Sequence, residues 1–175
     1  MKKLKNKDLQ RINIEEFKSV KKTPITIVLD NVRSALNVGS VFRTSDAFLI
    51  ENIILCGITA QPPNKDIRKA ALGATDSVNW EYSKNTMDAV NQLIEKDYYI
   101  VGIEQAENST LLNEFELPKK PIAIIMGNEV SGVAQEVVDA CNEVIEIPQF
   151  GTKHSLNISV TTGVVIWGLW EKLNA

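Results

Sequence analysis

Past Pro24 the chain alternates between short runs of β-branched and aliphatic residues and longer stretches whose apolar positions recur every three or four residues. A short unbroken apolar run suits a strand buried on both faces, and the longer spacing suits a helix with one face inward. On that basis residues 25–29, 52–56, 98–103, 122–126 and 143–147 are expected strands. Residues 37–48, 86–96, 133–141 and 155–173 are expected helices, the first with Asn37 as a candidate N-cap. Strands separated by helices argue for an α/β domain built on a mainly parallel sheet. The last helix is apolar nearly all round (Val160, Val164, Val165, Ile166, Trp167 and Leu169), so it needs cover on most sides. A second subunit would supply part of that cover, and a central position within one subunit is the other solution.

In a parallel sheet, ligands sit in the loops beyond the C-terminal strand ends. This turns attention to residues 30–43, 127–132 and 148–157. In the first, Asn37, Gly39 and Arg43 follow a strand. They read either as a helix cap with a surface arginine or as polar groups aimed at a ligand, with Gly39 allowing close backbone approach. In the second, Gly127-Asn128-Glu129-Val130-Ser131-Gly132 holds one carboxylate between two glycines. It has neither the glycine pattern of a dinucleotide loop nor the lysine of a phosphate loop. Glu129 could position a ligand or cap the next helix. In the third, Pro148 and Gly151 force a turn before Ser155 and Asn157, which could cap the last helix or hold a ligand where its free N–H groups point outward.

The chain has 175 residues, 44% of them hydrophobic and 23% charged, which fits one domain with a short extension. No apolar run reaches the roughly 18 residues of a membrane span. The N-terminus has no apolar stretch of the secretory kind. Two cysteines, Cys56 and Cys141, make no disulfide framework, and a single histidine argues against a zinc site. A reducing cytoplasm and no metal are therefore expected. Residues 1–22 carry eight Lys/Arg against three Asp/Glu, a charge of +5, so the remainder carries −8 of the overall −3. A basic N-terminal extension on an acidic domain (residues 23–175) could meet a polyanion locally, or could simply be a solvated terminus.

Taken together and in this order, the three loops resemble the signature motifs of the SpoU/TrmH family of RNA 2′-O-methyltransferases, in the SPOUT superfamily. Asn37 to Arg43 is similar to the family's N-x-G-x-x-x-R segment, and Gly127 to Gly132 to its G-N-E-x-x-G segment. Ile147-Pro148 through Gly151 and Ser155-Leu156-Asn157 match its I-P-x-x-G…S-L-N segment. Lys69 to Ala74 is similar to a K-x-x-x-G-A stretch that many members carry. The likeness covers about residues 24–170. Gln149 stands where the family usually has Met, and Thr161-Thr162 where it has small residues.

The resemblance implies a SPOUT fold, a mainly parallel sheet flanked by helices with a C-terminal deep trefoil knot that general topology rules would exclude. It implies S-adenosylmethionine (SAM) as cofactor, RNA (tRNA or rRNA, with guanosine one candidate nucleotide) as substrate, and a homodimer. The family's catalytic set falls on Asn37, Arg43, Glu129, Ser155 and Asn157, and its cofactor contacts on Ile103, Gly127, Ile147 and Leu156. A guanidinium with a pKa above about 12 is a poor base, so Arg43 is expected to hold a phosphate and stabilise the forming alkoxide. His154 could be a general base but is expected to be a loop residue that the motif does not require. A non-catalytic RNA-binding module of the same fold is the alternative function, and an unrelated nucleotide-binding enzyme ranks below it.

Overall fold

Among the described residues, seven strands form one sheet in which every strand pairing is parallel. The structure, a computed structural model, describes residues 1–5 and 8–175. Lys7, one of the basic residues of the N-terminal extension, lies outside the described residues. In chain order the elements are α1 (Ile14–Ser19), β1 (Thr23–Asp30), α2 (Ala35–Ala47), β2 (Ile50–Cys56), α3 (Lys65–Ala71), α4 (Ala74–Ser77) and β3 (Trp80–Ser83). They continue with α5 (Thr86–Glu95), β4 (Tyr99–Ile103), β5 (Thr110–Leu111), β6 (Ile122–Met126), α6 (Gln135–Ala140), β7 (Glu143–Glu146) and α7 (Ile158–Leu173). The strand order is β3-β2-β1-β6-β4-β7-β5.

The central strands are apolar throughout because both their faces are covered, and side chains alternate between faces along a strand. In β6, Ile124 and Met126 join a cluster with Val38 and Phe42 of α2, Ile67 of α3 and Val165 of α7. Ala123 and Ile125 point the other way, toward Val90 of α5 and Val137 of α6. Two hydrophobic layers thus clamp the sheet, as the strand pattern predicts.

The expected strands and helices are present, with shifted ends. The N-cap of α2 is Ser34, whose Oγ accepts from the Asn37 amide at 3.3 Å, so Asn37 lies inside the helix with its side chain free for other work. Helix α7 begins at Ile158 rather than Ser155, and its cap is Asn157. Gly39 does permit close approach, but of a helix: a Cβ there would lie 2.5 Å from the Ile67 carbonyl oxygen of α3. Cys56 is buried, whereas Cys141 is only half-buried.

Part of the basic N-terminal segment is docked on the domain. Helix α1 has a capping box, in which Asn13 Oδ1 accepts from the Glu16 amide and Glu16 Oε2 from the Asn13 amide, both at 2.9 Å. Phe17 inserts into the core with 3% exposure. Lys22 turns back over the Phe17 ring, 4.5 Å from its centroid, and donates to the carbonyls of Phe17 and Val20.

Candidate active site

An all-parallel sheet brings the C-terminal ends of β1, β4, β6 and β7 to one edge, and the loops after them meet there. Glu129, in the loop after β6, reaches the start of α2. Its Oε2 accepts from the Arg33 amide at 2.8 Å and its Oε1 from the Ser34 amide at 3.0 Å and Asn37 Nδ2 at 3.1 Å. Helix α2 has no acidic residue in its own first turn. Glu129 supplies that negative charge from a distant loop, where the helix dipole favours it. Burial pulls its carboxyl pKa up, but the hydrogen bonds from the Arg33 and Ser34 amides and from Asn37 outweigh this, and the net shift is downward. Glu129 therefore holds the entry to the helix of the first loop, at the amides of Arg33 and the cap residue Ser34, and not the helix that follows it.

The chain of contacts continues. Asn37 Oδ1 accepts from Asn157 Nδ2 at 3.2 Å, and Asn157 Oδ1 accepts from the Ser159 amide at 2.9 Å and Ser159 Oγ at 2.7 Å. One row of side chains, Glu129–Asn37–Asn157, ties the three loops together although its members lie up to 120 positions apart. The loop after β6 is itself tightly closed. Asn128 and Gly132 exchange both backbone hydrogen bonds at 2.9 Å, Asn128 Oδ1 accepts from the amides of Val130 and Ser131, and Asn128 Nδ2 donates to the Asn31 carbonyl at 2.7 Å. A Cβ at Gly127 would lie 2.2 Å from the Gly132 carbonyl carbon, so only glycine fits there.

Beside this row is an open cavity whose walls include Ile103, Gly127, Glu129, Ile147, Ser155, Leu156 and Asn157. All four positions expected to contact cofactor line it. Its ionisable lining is one-sided: Glu104, Glu107, Glu129, Asp139 and Glu146 against His154, with no Lys or Arg among the described residues that line it. Such a wall favours a cationic guest. His154 is exposed in the loop before α7.

Arg43 stands apart. It is exposed, makes no side-chain hydrogen bond among the described residues and does not line the cavity. Six residues along a helix advance about 9 Å and turn roughly 120° away, which separates it from Asn37. Within one chain, Asn37, Glu129, Ser155 and Asn157 come together and Arg43 does not.

A fourth loop, after β4, also reaches this edge, beyond the three that the sequence singles out. Glu104 Oε2 accepts from the Val133 amide at 3.0 Å, and Gln105 Nε2 donates to the His154 carbonyl at 2.6 Å. The signal that could have found them is positional: they follow a buried strand on the same sheet edge. No group of His, Cys, Asp and Glu suited to a metal ion occurs among the described residues. Nor is any described helix long and apolar enough to cross a membrane.

The family model described as the SpoU rRNA methylase family matches residues 24–167. A 23S rRNA (guanosine-2′-O-)-methyltransferase RlmB of Blochmanniella floridana is 31% identical over 144 residues, 82% of this chain and 56% of that protein. The chain spans 56–64% of the length of such curated relatives. Among solved structures, an AdoMet-bound rRNA methyltransferase from Sinorhizobium meliloti is 26% identical with a TM-score of 0.78, covering 90% of this chain and 60% of that one. A TrmH/SpoU tRNA modifying enzyme from A. aeolicus shares the fold with a TM-score of 0.82 at 24% identity, covering 92% of this chain and 81% of that one.

Proposed function

The chain belongs to the SpoU methylase family, and from that premise we propose that it transfers the methyl group of SAM to a ribose 2′-hydroxyl of a structured RNA, tRNA or rRNA, with guanosine as a candidate nucleotide. The observation that carries this reading is the Glu129–Asn37–Asn157 row at the mouth of a carboxylate-lined cavity. The cavity fits the cofactor on two counts: its carboxylate walls suit a sulfonium cation, and the glycine-only turn at Gly127, closed on the Gly132–Val133 backbone, gives one wall a fixed shape. When bound, SAM supplies an electrophilic methyl group. Leu156, Ile147 and the Gly127 backbone hold the cofactor, and Asn157 and Ser155 orient the ribose at the cavity mouth. Asn37 is fixed from both sides, so its amide is a rigid wall for the incoming nucleotide. The 2′-hydroxyl would give its proton to water or to a neighbouring phosphate, and its oxygen would take the methyl carbon as the carbon–sulfur bond breaks and neutral S-adenosylhomocysteine leaves. Arg43 holds that phosphate and meets the developing charge on oxygen, a task that needs a permanent cation rather than a base.

The same reading includes a homodimer and a knotted C-terminal region, in a cytoplasmic protein. Support for the dimer comes from α7, where Val160, Val164 and Trp167 are 53%, 39% and 51% exposed, beside Leu36 of α2 at 48%. A second subunit would cover that apolar face. Arg43 lies on the same exposed side of α2 as Leu36, so a dimer would carry it to the interface.

Transfer of labelled methyl from SAM to total RNA, followed by mapping of 2′-O-methyls lost when the gene is deleted, tests the activity and names the site. Incorporation that resists alkali, as 2′-O-methyl linkages do, is the expected result. A pure chain that binds RNA but transfers no methyl would instead establish the non-catalytic module.

A further inference from the structure

The geometry points to Gln105 as a positioning residue that latches the loop before α7 over the cavity, an inference that rests on reading the cavity as the cofactor site. Residues 150–157 are all exposed. A Cβ on Gly151 would meet nothing within 4 Å, so the loop lies open to solvent. Among the described residues, the hydrogen bond from Gln105 Nε2 to the His154 carbonyl, at 2.6 Å, is the one bond that residues 148–156 make with the remainder of the chain. The residue it grips is followed directly by Ser155 and Leu156, which line the cavity.

The donor is itself held. Glu104 Oε1 accepts from the Gln105 amide at 2.8 Å, and Glu104 Oε2 accepts from the Val133 amide at 3.0 Å. Two consecutive residues therefore span from the end of β4 to the loop after β6 on one side and to the loop before α7 on the other. Glu104 fixes the backbone from which Gln105 reaches, and Gln105 sets how far the Ser155–Leu156 wall stands from the Gly127 wall. A loop with one tether is ordered by that tether, so losing it lets the loop sample open states that bind cofactor poorly. The ordering must then be repeated at each binding event, which weakens binding.

Gln105 is exposed, so its substitution leaves the core intact. The test uses the full chain with Gln105→Met, which keeps side-chain length and removes the donor, and Gln105→Ala as a second variant. Trypsin cleavage after Lys153 in the free protein is followed by mass spectrometry, together with hydrogen exchange of β4 and β6, calorimetric affinity for SAM and S-adenosylhomocysteine and affinity for RNA. Expected are faster cleavage after Lys153, unchanged protection of β4 and β6, and cofactor affinity weaker by about two- to tenfold, the worth of one neutral hydrogen bond. RNA affinity should stay within the error of the wild type. Unchanged cleavage after Lys153, or faster cleavage with unchanged cofactor affinity, overturns the positioning role. A general fall in protection across the sheet overturns it too, by making Gln105 a stability residue. A wild-type chain that bound neither cofactor form would end the cofactor reading instead, and the cleavage measurement, which needs no ligand, would still decide whether the latch exists.

Discussion

Glu129 brings a carboxylate to the amides that lead into α2, those of Arg33 and the cap residue Ser34, the latter 95 positions earlier in the chain. Because its pKa is pulled below the ordinary 4.5, it favours the folded state fully at neutral pH. That contribution is lost as pH falls below the ordinary value and through the depressed one. Glu129→Gln should therefore flatten the acid side of the stability–pH profile, measured by denaturant unfolding between pH 3 and 7. The same variant loses charge-assisted hydrogen bonds that anchor one end of the row, so methyl transfer should fall about tenfold or more while RNA affinity falls less. Equal losses in both would count against a role at the reacting centre. The two thiols behave oppositely to functional cysteines. Burial pushes Cys56 up to about 12 and Cys141 up to about 11, so neither is a thiolate at neutral pH. Alkylation of the native protein by iodoacetamide at pH 7.5 should be far slower than that of the unfolded chain, and fast labelling of Cys56 would contradict the packing.

The elements that the sequence made legible are those with the most apolar surface to bury. Strand β6 was delimited to the residue because Ile122 to Met126 are all buried, between charged and turn-forming neighbours. Helix α3 went unread because only Ile67 and Ala71 of its seven residues are buried, leaving too few apolar positions to show a period. Edge strand β3 has Glu81 and Tyr82 exposed, and β5 has only two residues, so neither offers a pattern. Helix α1 does carry a signal, the Asn-x-x-Glu capping box, inside a segment dominated by basic charge. Two predictions belong to this scale. Ile124→Ala opens a cavity between the sheet and its helices and should cost about 2–5 kcal/mol in unfolding experiments. Gly127→Ala would drive a methyl group into the Gly132–Val133 backbone, so it should abolish cofactor binding measured by calorimetry, with the sheet retained by circular dichroism.

For the molecule as a whole, the stack of Trp167 on Trp170 at 5.5 Å, with Phe48 edge-on to both, builds a partly exposed aromatic ridge where α2 and α7 meet. In the proposed homodimer this ridge is part of the interface, so Trp167→Glu should shift the chain to monomer in sedimentation experiments and reduce methyl transfer with it. A wild-type chain that sediments as an active monomer would remove the interface from the account. The order of apolar and polar positions by itself determined an α/β sheet with buried parallel strands and the three polar loops beyond them, because burial on both faces leaves its mark in local composition. The motif residues within those loops were ambiguous one loop at a time and became legible only from the three loops taken together and in order. Only the tertiary structure decided that Ser34 rather than Asn37 caps α2, that Glu129 supplies the missing charge there, that Gln105 reaches His154, and that Arg43 stands away from the others. The Ser34 cap is a local hydrogen bond that Asn37 could have supplied by starting the helix later, whereas the other three depend on hydrogen bonds between groups tens of residues apart or on the rotation of a helix about its axis. Such contacts are set by how the sheet orders its strands, and a linear pattern carries no record of that order.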